Sequence, residues 1–185
     1  MSINGRQPGF PILPLLVERY SPRGFSGESV REEEMMTLLE AARWAPSSYN
    51  DQPWRYVYVL QGDTEWQSFF DLMVPANQEW AKTAGALVII ISSKNFAKTG
   101  EFSPTHSYDT GAASQNLALQ GHAMGLGVHS LGGFDYVRAA ALLKLSDSYA
   151  VEAMMAIGRL PATPAVKFSQ RKPLEQIAFR GKIII

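Results

Sequence analysis

The 185-residue sequence contains no cysteine. Disulfide stapling, thiolate catalysis and Cys-ligated zinc are therefore excluded. Charge is also scarce: Asp, Glu, Lys and Arg make up 18% of the residues, against about 25% in an average domain. The charges cancel, 17 basic against 17 acidic. A nucleic-acid binder held by bulk electrostatics needs a basic excess, which is missing. A disordered chain needs high net charge and low hydrophobicity, which are missing too. Long apolar runs are absent: the most apolar stretch, Ala84 to Ile91, falls far short of the ~20 residues of a membrane helix. Met1 to Gly9 has no apolar core of the length a signal peptide needs. The expectation is a soluble, cytoplasmic protein with neither nucleic acid nor membrane as partner.

What is present is a normal apolar load, 46% hydrophobic and 11% aromatic. One domain over 1–185 is expected, since about 150 residues is a typical domain. Such a chain buries about 70% of its unfolded surface. A normal core under a thin charged coat hints at surface covered by a partner.

Periodicity and capping signals predict mixed α and β structure. After an irregular Pro-rich entry over 1–13, Pro14 opens a short helix to Arg19. Ser29 to Glu32 reads as a capping box before an apolar-periodic helix ending near Trp44. Trp54 to Leu60 reads as a strand, Thr64 to Met73 as a helix, and Asn77 to Ala84 as a short helix with Asn77 near its N-cap. Ala86 to Ser92 reads as a central strand buried on both faces. Asp109 to Met124 reads as a buried helix, apolar nearly all round and ended by Gly125 and Gly127. Val128 to Leu131 and Ala150 to Gly158 are further strands, separated by a helix from Asp135 to about Leu145. The tail, 161–185, is Pro-rich and basic and ends in Ile183, Ile184 and Ile185. This triplet has high β propensity and fits either an edge in its own chain or one in another subunit.

Several common chemistries are missing. His106, His122 and His129 show no metal-binding spacing. There is no G-x-S-x-G elbow, no phosphate loop of the G-x-x-x-x-G-K type, and no dinucleotide fingerprint between a strand and a helix.

Three segments stand out. Arg19-Tyr20-Ser21-Pro22-Arg23-Gly24-Phe25 places two arginines and a hydroxyl at a helix end. That suits a phosphate, although a solvated basic turn has the same composition. Ala42-Arg43-Trp44-Ala45-Pro46-Ser47-Ser48-Tyr49-Asn50-Asp51-Gln52-Pro53-Trp54 sets hydroxyls and amides between a helix end and a strand. These groups can read a heteroaromatic edge without ion burial, or satisfy their own loop. In Gly125-Leu126-Gly127-Val128-His129-Ser130-Leu131-Gly132-Gly133-Phe134-Asp135 a strand ends at a Gly pair before a helix begins. Its bare backbone lets a flat ligand approach closely, or merely makes a tight turn.

In this order the segments resemble the nitroreductase family of flavoproteins, from about Leu15 to Ile177. The resemblance implies an α+β nitroreductase-like fold, with a central mixed sheet flanked by helices in an intertwined homodimer. It implies FMN at the dimer interface, NADH or NADPH as transient hydride donor, and a nitroaromatic, quinone, enone or flavin as acceptor in alternating half-reactions. Some relatives act instead on flavin itself or on a halogenated phenol, and a flavin-binding module with little turnover is a further reading. By position, Arg19, Tyr20, Ser21 and Arg171 would hold the phosphate and ribityl end. Arg23 and Asn77 would face the flavin's pyrimidine edge, while Leu131, Gly132 and Gly133 line the ring. Pro46, Ser47, Ser48 and Asn50 would reach it from the second subunit. No catalytic acid or base is implied, since the chemistry is centred on the flavin.

The sequence departs from this pattern twice. Trp80 stands where many members carry a lysine, leaving Arg23, alone or with Lys82, to supply positive charge. The connection Ser93 to Ser107 is short, and Phe96, Phe102 and His106 are its candidates to touch a substrate. The almost uncharged helix from Asp109 to Met124 is the candidate dimer interface.

Overall fold

The apolar run beginning at Ala86 forms a central strand because both of its faces are covered. A computed structural model describes residues 5–163 and 169–183. Its sheet contains β1 (Trp54–Leu60), β2 (Ala86–Ser93), β3 (Leu126–Leu131) and β4 (Tyr149–Arg159), in the order β1-β2-β4-β3. Ala86, Val88 and Ile90 face one core, and Leu87, Ile89 and Ile91 face the other. The period of two thus fills both faces with apolar side chains, which is why no polar alternation marks this strand.

Helices α2 (Glu32–Arg43) and α5 (His106–Ala123) cover the first face. Helices α3 (Trp66–Phe70), α4 (Pro75–Ala81) and α6 (Tyr136–Leu142), with Phe25, cover the second. Helix α1 (Pro14–Glu18) leads into the Arg19–Phe25 segment. The class is α+β, as expected. All three ladders among the described residues are antiparallel, so the mixed sheet narrows to an antiparallel one there. Ile184 and Ile185 of the terminal triplet lie outside the described residues.

Four local expectations shift. The N-cap of α2 is Arg31 rather than Ser29, because Val30, 3% exposed, anchors the entry in the core. The box is closed two residues later, where Glu34 Oε2 accepts the Arg31 N–H at 3.0 Å. Asn77 is the third residue of α4, not its cap, because Pro75 takes the first helical position. Helix α3 stops at Phe70, and Met73 instead bridges to Phe134. Gly125, at φ 75, ends α5, whereas Gly127 lies inside β3.

Helix α5 is not buried all round. Asp109, Thr110, Ala113, Leu117, Ala118 and Gly121 face the core, while Tyr108 is 81% exposed. Small residues had made the helix look uniformly apolar.

Glu34 ties α2 to the end of β4. Its carboxylate receives Arg159 Nη2 at 2.8 and 3.0 Å, beside Arg31. The Arg31 backbone N–H, then the Arg31 side chain, then Arg159 hold this carboxyl below its ordinary value near 4.5, at about 2. A lowered folded value means stability present above the unfolded pKa and lost as pH falls toward the folded one. Glu34→Gln is therefore expected to cost about 1–2 kcal/mol at neutral pH. It should also flatten the acid limb of melting temperature against pH between about 4.5 and 2. An unchanged acid limb by calorimetry would contradict this.

Candidate functional site

Three arginines converge where the chain leaves α1. Arg6 Nη1 donates to the carbonyls of Val17 and Arg19, both at 2.7 Å. Arg6 Nη2 and Arg171 Nη1 both donate to Ser169 Oγ, at 3.1 and 2.9 Å. Arg19 Nη1 reaches Ser21 Oγ at 3.5 Å. Among the described residues none of the three has a carboxylate within ion-pair distance. Burial, and after it the charges of Arg6 and Arg171, lower the pKa of Arg19. Like charges gathered without a counter-ion disfavour their own charged forms, so the cluster is suited to an anion. Among the described residues Arg6 Nε is buried and unpartnered, and so is the hydroxyl of Tyr20, which stands between Arg19 and Ser21 in the chain. Such orphans are rare in finished structures.

Arg19 and Ser21 line a cleft of about 250 Å³ with Val128 and Ser130 of β3 and Gly111, Ser114, Gln115 and Ala118 of α5. The strand alternation that sends Val128 and Ser130 to this side sends His129 to the other. There the His129 ring stacks on Trp80 with centroids 4.3 Å apart. His129 Nδ1 lies 2.7 Å from the Pro22 carbonyl. Burial first, with the charges of Arg23 and Arg19 behind it, lowers the His129 pKa against that hydrogen bond. The ring is therefore neutral at pH 7 and donates Nδ1–H to Pro22.

Past β3 the chain is pinned to α4. The Gly133 carbonyl accepts from the Val74 N–H at 3.0 Å and from Asn77 Nδ2 at 3.0 Å. Asn77 Oδ1 in turn accepts from Trp80 Nε1 at 3.2 Å. A Cβ on Gly133 would lie 2.6 Å from Asn77 Nδ2, so glycine is needed for this approach. Gly132 beside it is exposed. Arg23 is exposed as well.

The Pro46–Asn50 loop is held by α5. Its Ser48 N–H donates to Asp109 Oδ2 at 3.0 Å, near the start of α5. Ser47 Oγ accepts the Gln52 N–H at 3.0 Å. Tyr49, Asn50 and Gln52 take φ of 53, 56 and 53. Three non-glycine residues in this sparsely populated region mark stored strain of the kind found at ligand sites. Tyr49 is 94% exposed and meets Phe96 edge-on at 5.8 Å. Phe102 meets His106 edge-on at 5.6 Å. No hydrogen bond among the described residues joins Pro46–Asn50 to Arg19–Arg23, Asn77 or 131–133.

The structure thus brings Arg19 and Ser21 together with Arg171, and no contact among the described residues ties the Tyr20 side chain to them. It gathers Asn77 with Gly133, and groups Pro46–Asn50 with Phe96, Phe102 and His106 near the start of α5. Arg6 and Ser169 join the first group without a sequence signal, because a single Arg in an irregular entry looks like surface. Glu152 and Ser92 join His106. A carboxylate inside the run Ala150-Val151-Glu152-Ala153 was the available signal. No helix among the described residues is long and apolar enough to cross a membrane.

Comparison with known proteins points one way. Residues 16–159 match the model of the Nitroreductase family. An oxygen-insensitive NADPH nitroreductase of Helicobacter pylori is 36% identical over 99 residues, covering 51% of this chain. The matched part spans only 42% of that relative's length. Protein DrgA of Synechocystis is 31% identical over 153 residues, covering 69% of this chain and 73% of that protein. A solved oxidoreductase containing FMN is 37% identical and superposes with a TM-score of 0.92, over 100% of this chain and 98% of its own.

Proposed function

The chain belongs to the nitroreductase family, and from that premise we propose that it is an FMN-dependent NAD(P)H oxidoreductase. The observation that carries the cofactor is the cluster of Arg6, Arg19 and Arg171, three cations without a carboxylate among the described residues. A phosphate dianion supplies what that cluster lacks, and among the described residues Arg6 Nε has free hydrogen-bonding capacity within it. These residues fit the phosphate end of FMN. The 37%-identical oxidoreductase containing FMN supports the same cofactor.

When bound, FMN supplies the redox chemistry, accepting hydride from NADH or NADPH and passing electrons to a nitroaromatic, quinone, enone or flavin-type acceptor in alternating half-reactions. The chain supplies position and charge. Arg19, Ser21 and Arg171 grip the phosphate. Arg23 places positive charge by the pyrimidine edge, and Asn77 offers its amide there. Leu131, Gly132 and Gly133 keep the ring's approach clear. Trp80 stacks on neutral His129 and so adds no charge to that edge. Pro46, Ser47, Ser48 and Asn50 serve the site of a second copy. The support is that no hydrogen bond among the described residues ties them to the arginine cluster of their own chain, together with the open face of α5. The assembly is then a homodimer with shared sites.

The test is the visible spectrum of the purified full-length protein, followed by anaerobic NADH and NADPH. Bound flavin that bleaches with either donor is the expected result. A chain that holds no flavin even after FMN reconstitution, or flavin that stays oxidised with both donors, overturns the proposal.

A further inference from the structure

A second polar cluster lies beneath the connection from β2 to α5. The β2–β4 ladder slips there: Ile90 pairs with Ala153 and Ile91 with Val151, leaving Glu152 without a partner. A bulge of this kind re-aims a side chain. Val151 packs against the core of one sheet face and Ala153 against the other. Glu152, between them, meets Ser92 at the end of β2 and His106 at the start of α5. Ser92 Oγ donates to Glu152 Oε1 at 2.5 Å, and Ser107 Oγ donates to the same oxygen at 2.7 Å. His106 Nδ1 lies 2.8 Å from Ser92 Oγ and 3.5 Å from Glu152 Oε1.

The proton count fixes the histidine. Both hydroxyl protons go to the carboxylate, so Nδ1 carries a proton and donates it to Ser92 Oγ. Ser92 is fully buried, so it positions its neighbours rather than meeting a substrate. The His106 side chain keeps 14% exposure. Its Nε2 has no hydrogen bond among the described residues and is not among the buried unpartnered atoms. An imidazole oriented at Nδ1 by a carboxylate relay leaves Nε2 as the atom that takes up and releases a proton, so its protonated form is arranged as a general acid. Glu152 is the charged group facing it. Lys94, on the same connection, is tied by its backbone to Ser103 and Ser148. One turn further along α5, Asp109 holds Ser48 of the loop assigned to the flavin. Ala97 of the same connection donates to Asp51 of that loop at 2.9 Å.

We propose that His106, oriented by Ser92 and the bulged Glu152, delivers the proton to the electron acceptor. The proposal rests on the flavin reading above. A quinone acceptor takes a hydride from the reduced cofactor, which is thereby reoxidised, and a proton from His106 Nε2. The product is the hydroquinone, and the imidazolium becomes imidazole and regains its proton from solvent.

The test uses the FMN-loaded full chain, first reduced by NADH or NADPH, then reoxidised by menadione or by ferricyanide, which takes electrons without protons. His106→Asn should slow menadione reoxidation by at least ~100-fold and flatten its dependence on pH. Ferricyanide reoxidation, flavin content and bleaching should stay within about two-fold. Glu152→Gln should slow menadione reoxidation alone, by a smaller factor. Independently of activity, ¹⁵N–¹H spectra of the imidazoles should show neutral His106 as the Nδ1–H tautomer. An Nε2–H tautomer, unchanged menadione kinetics in His106→Asn, or an equal loss with both acceptors would overturn the proposal. Failure of the flavin reading shows separately, as a wild-type chain that is not bleached by either donor, and it overturns this proposal too.

Discussion

Arg19→Ala is expected to weaken FMN binding about 30-fold while leaving the cofactor-free protein no less stable. A hydrogen bond to a charged group contributes about 2 kcal/mol, which is about 30-fold in affinity. The unusual part is the opposite sign in the free protein. Arg19 is half-buried, with Arg6 and Arg171 disfavouring its charge. Removing it relieves that repulsion. The rise in melting temperature on adding FMN should therefore shrink, because ligand stabilisation follows the dissociation constant. Arg19→Lys keeps the charge without the planar fork and should fall between the two. Isothermal titration and thermal melts with and without FMN read both effects. Undiminished FMN affinity in Arg19→Ala would remove the phosphate from this cluster.

Gly127→Val is expected to lower the melting temperature by about 10 °C. Gly127 faces Gly158 across the β3–β4 ladder. The pair leaves a slot for Phe25, which is 6% exposed. A Cβ at Gly127 would lie 2.6 Å from Pro22 Cγ, 2.8 Å from Leu160 Cδ2 and 3.3 Å from Phe25 Cε1. A Cβ at Gly158 would lie 2.8 Å from Phe25 Cδ1. Overpacking a filled core costs about 3 kcal/mol at the upper end of its usual range, or about 10 °C for a chain of this size. Because Pro22 and Phe25 continue the Arg19–Ser21 segment, the variant should also bind FMN more weakly. A melting temperature within about 2 °C of wild type would show that Pro22 and Phe25 can move aside.

Much of this was legible in the sequence where a local rule met no competitor. Trp54–Leu60 matches β1 residue for residue. Asp135 caps α6, accepting the Arg138 N–H at 2.9 Å. The apolar run at Ala86 gave β2 because a doubly covered strand needs no alternation. Rules failed where two signals overlapped. Ser29 offered a cap, but burying Val30 moved the helix start to Arg31. Gly127 followed a helix and read as its end, yet its reason is the contact with Pro22 and Phe25, more than a hundred positions away in the chain.

By itself the sequence determined the class, most strand positions, the absence of cysteine chemistry and the three segments that carry the family resemblance. Those features depend on neighbours a few residues apart, where spacing alone decides which side chains share a face. The tertiary structure decided that Arg6 and Ser169 join Arg19 and Arg171, and that Glu152 bulges toward Ser92 and His106. It also decided that the Pro46–Asn50 loop is anchored to Asp109, at the start of α5, through the Ser48 N–H. These depend on distance between residues far apart in sequence, set by sheet register and by how two cores are filled. No local pattern encodes that geometry.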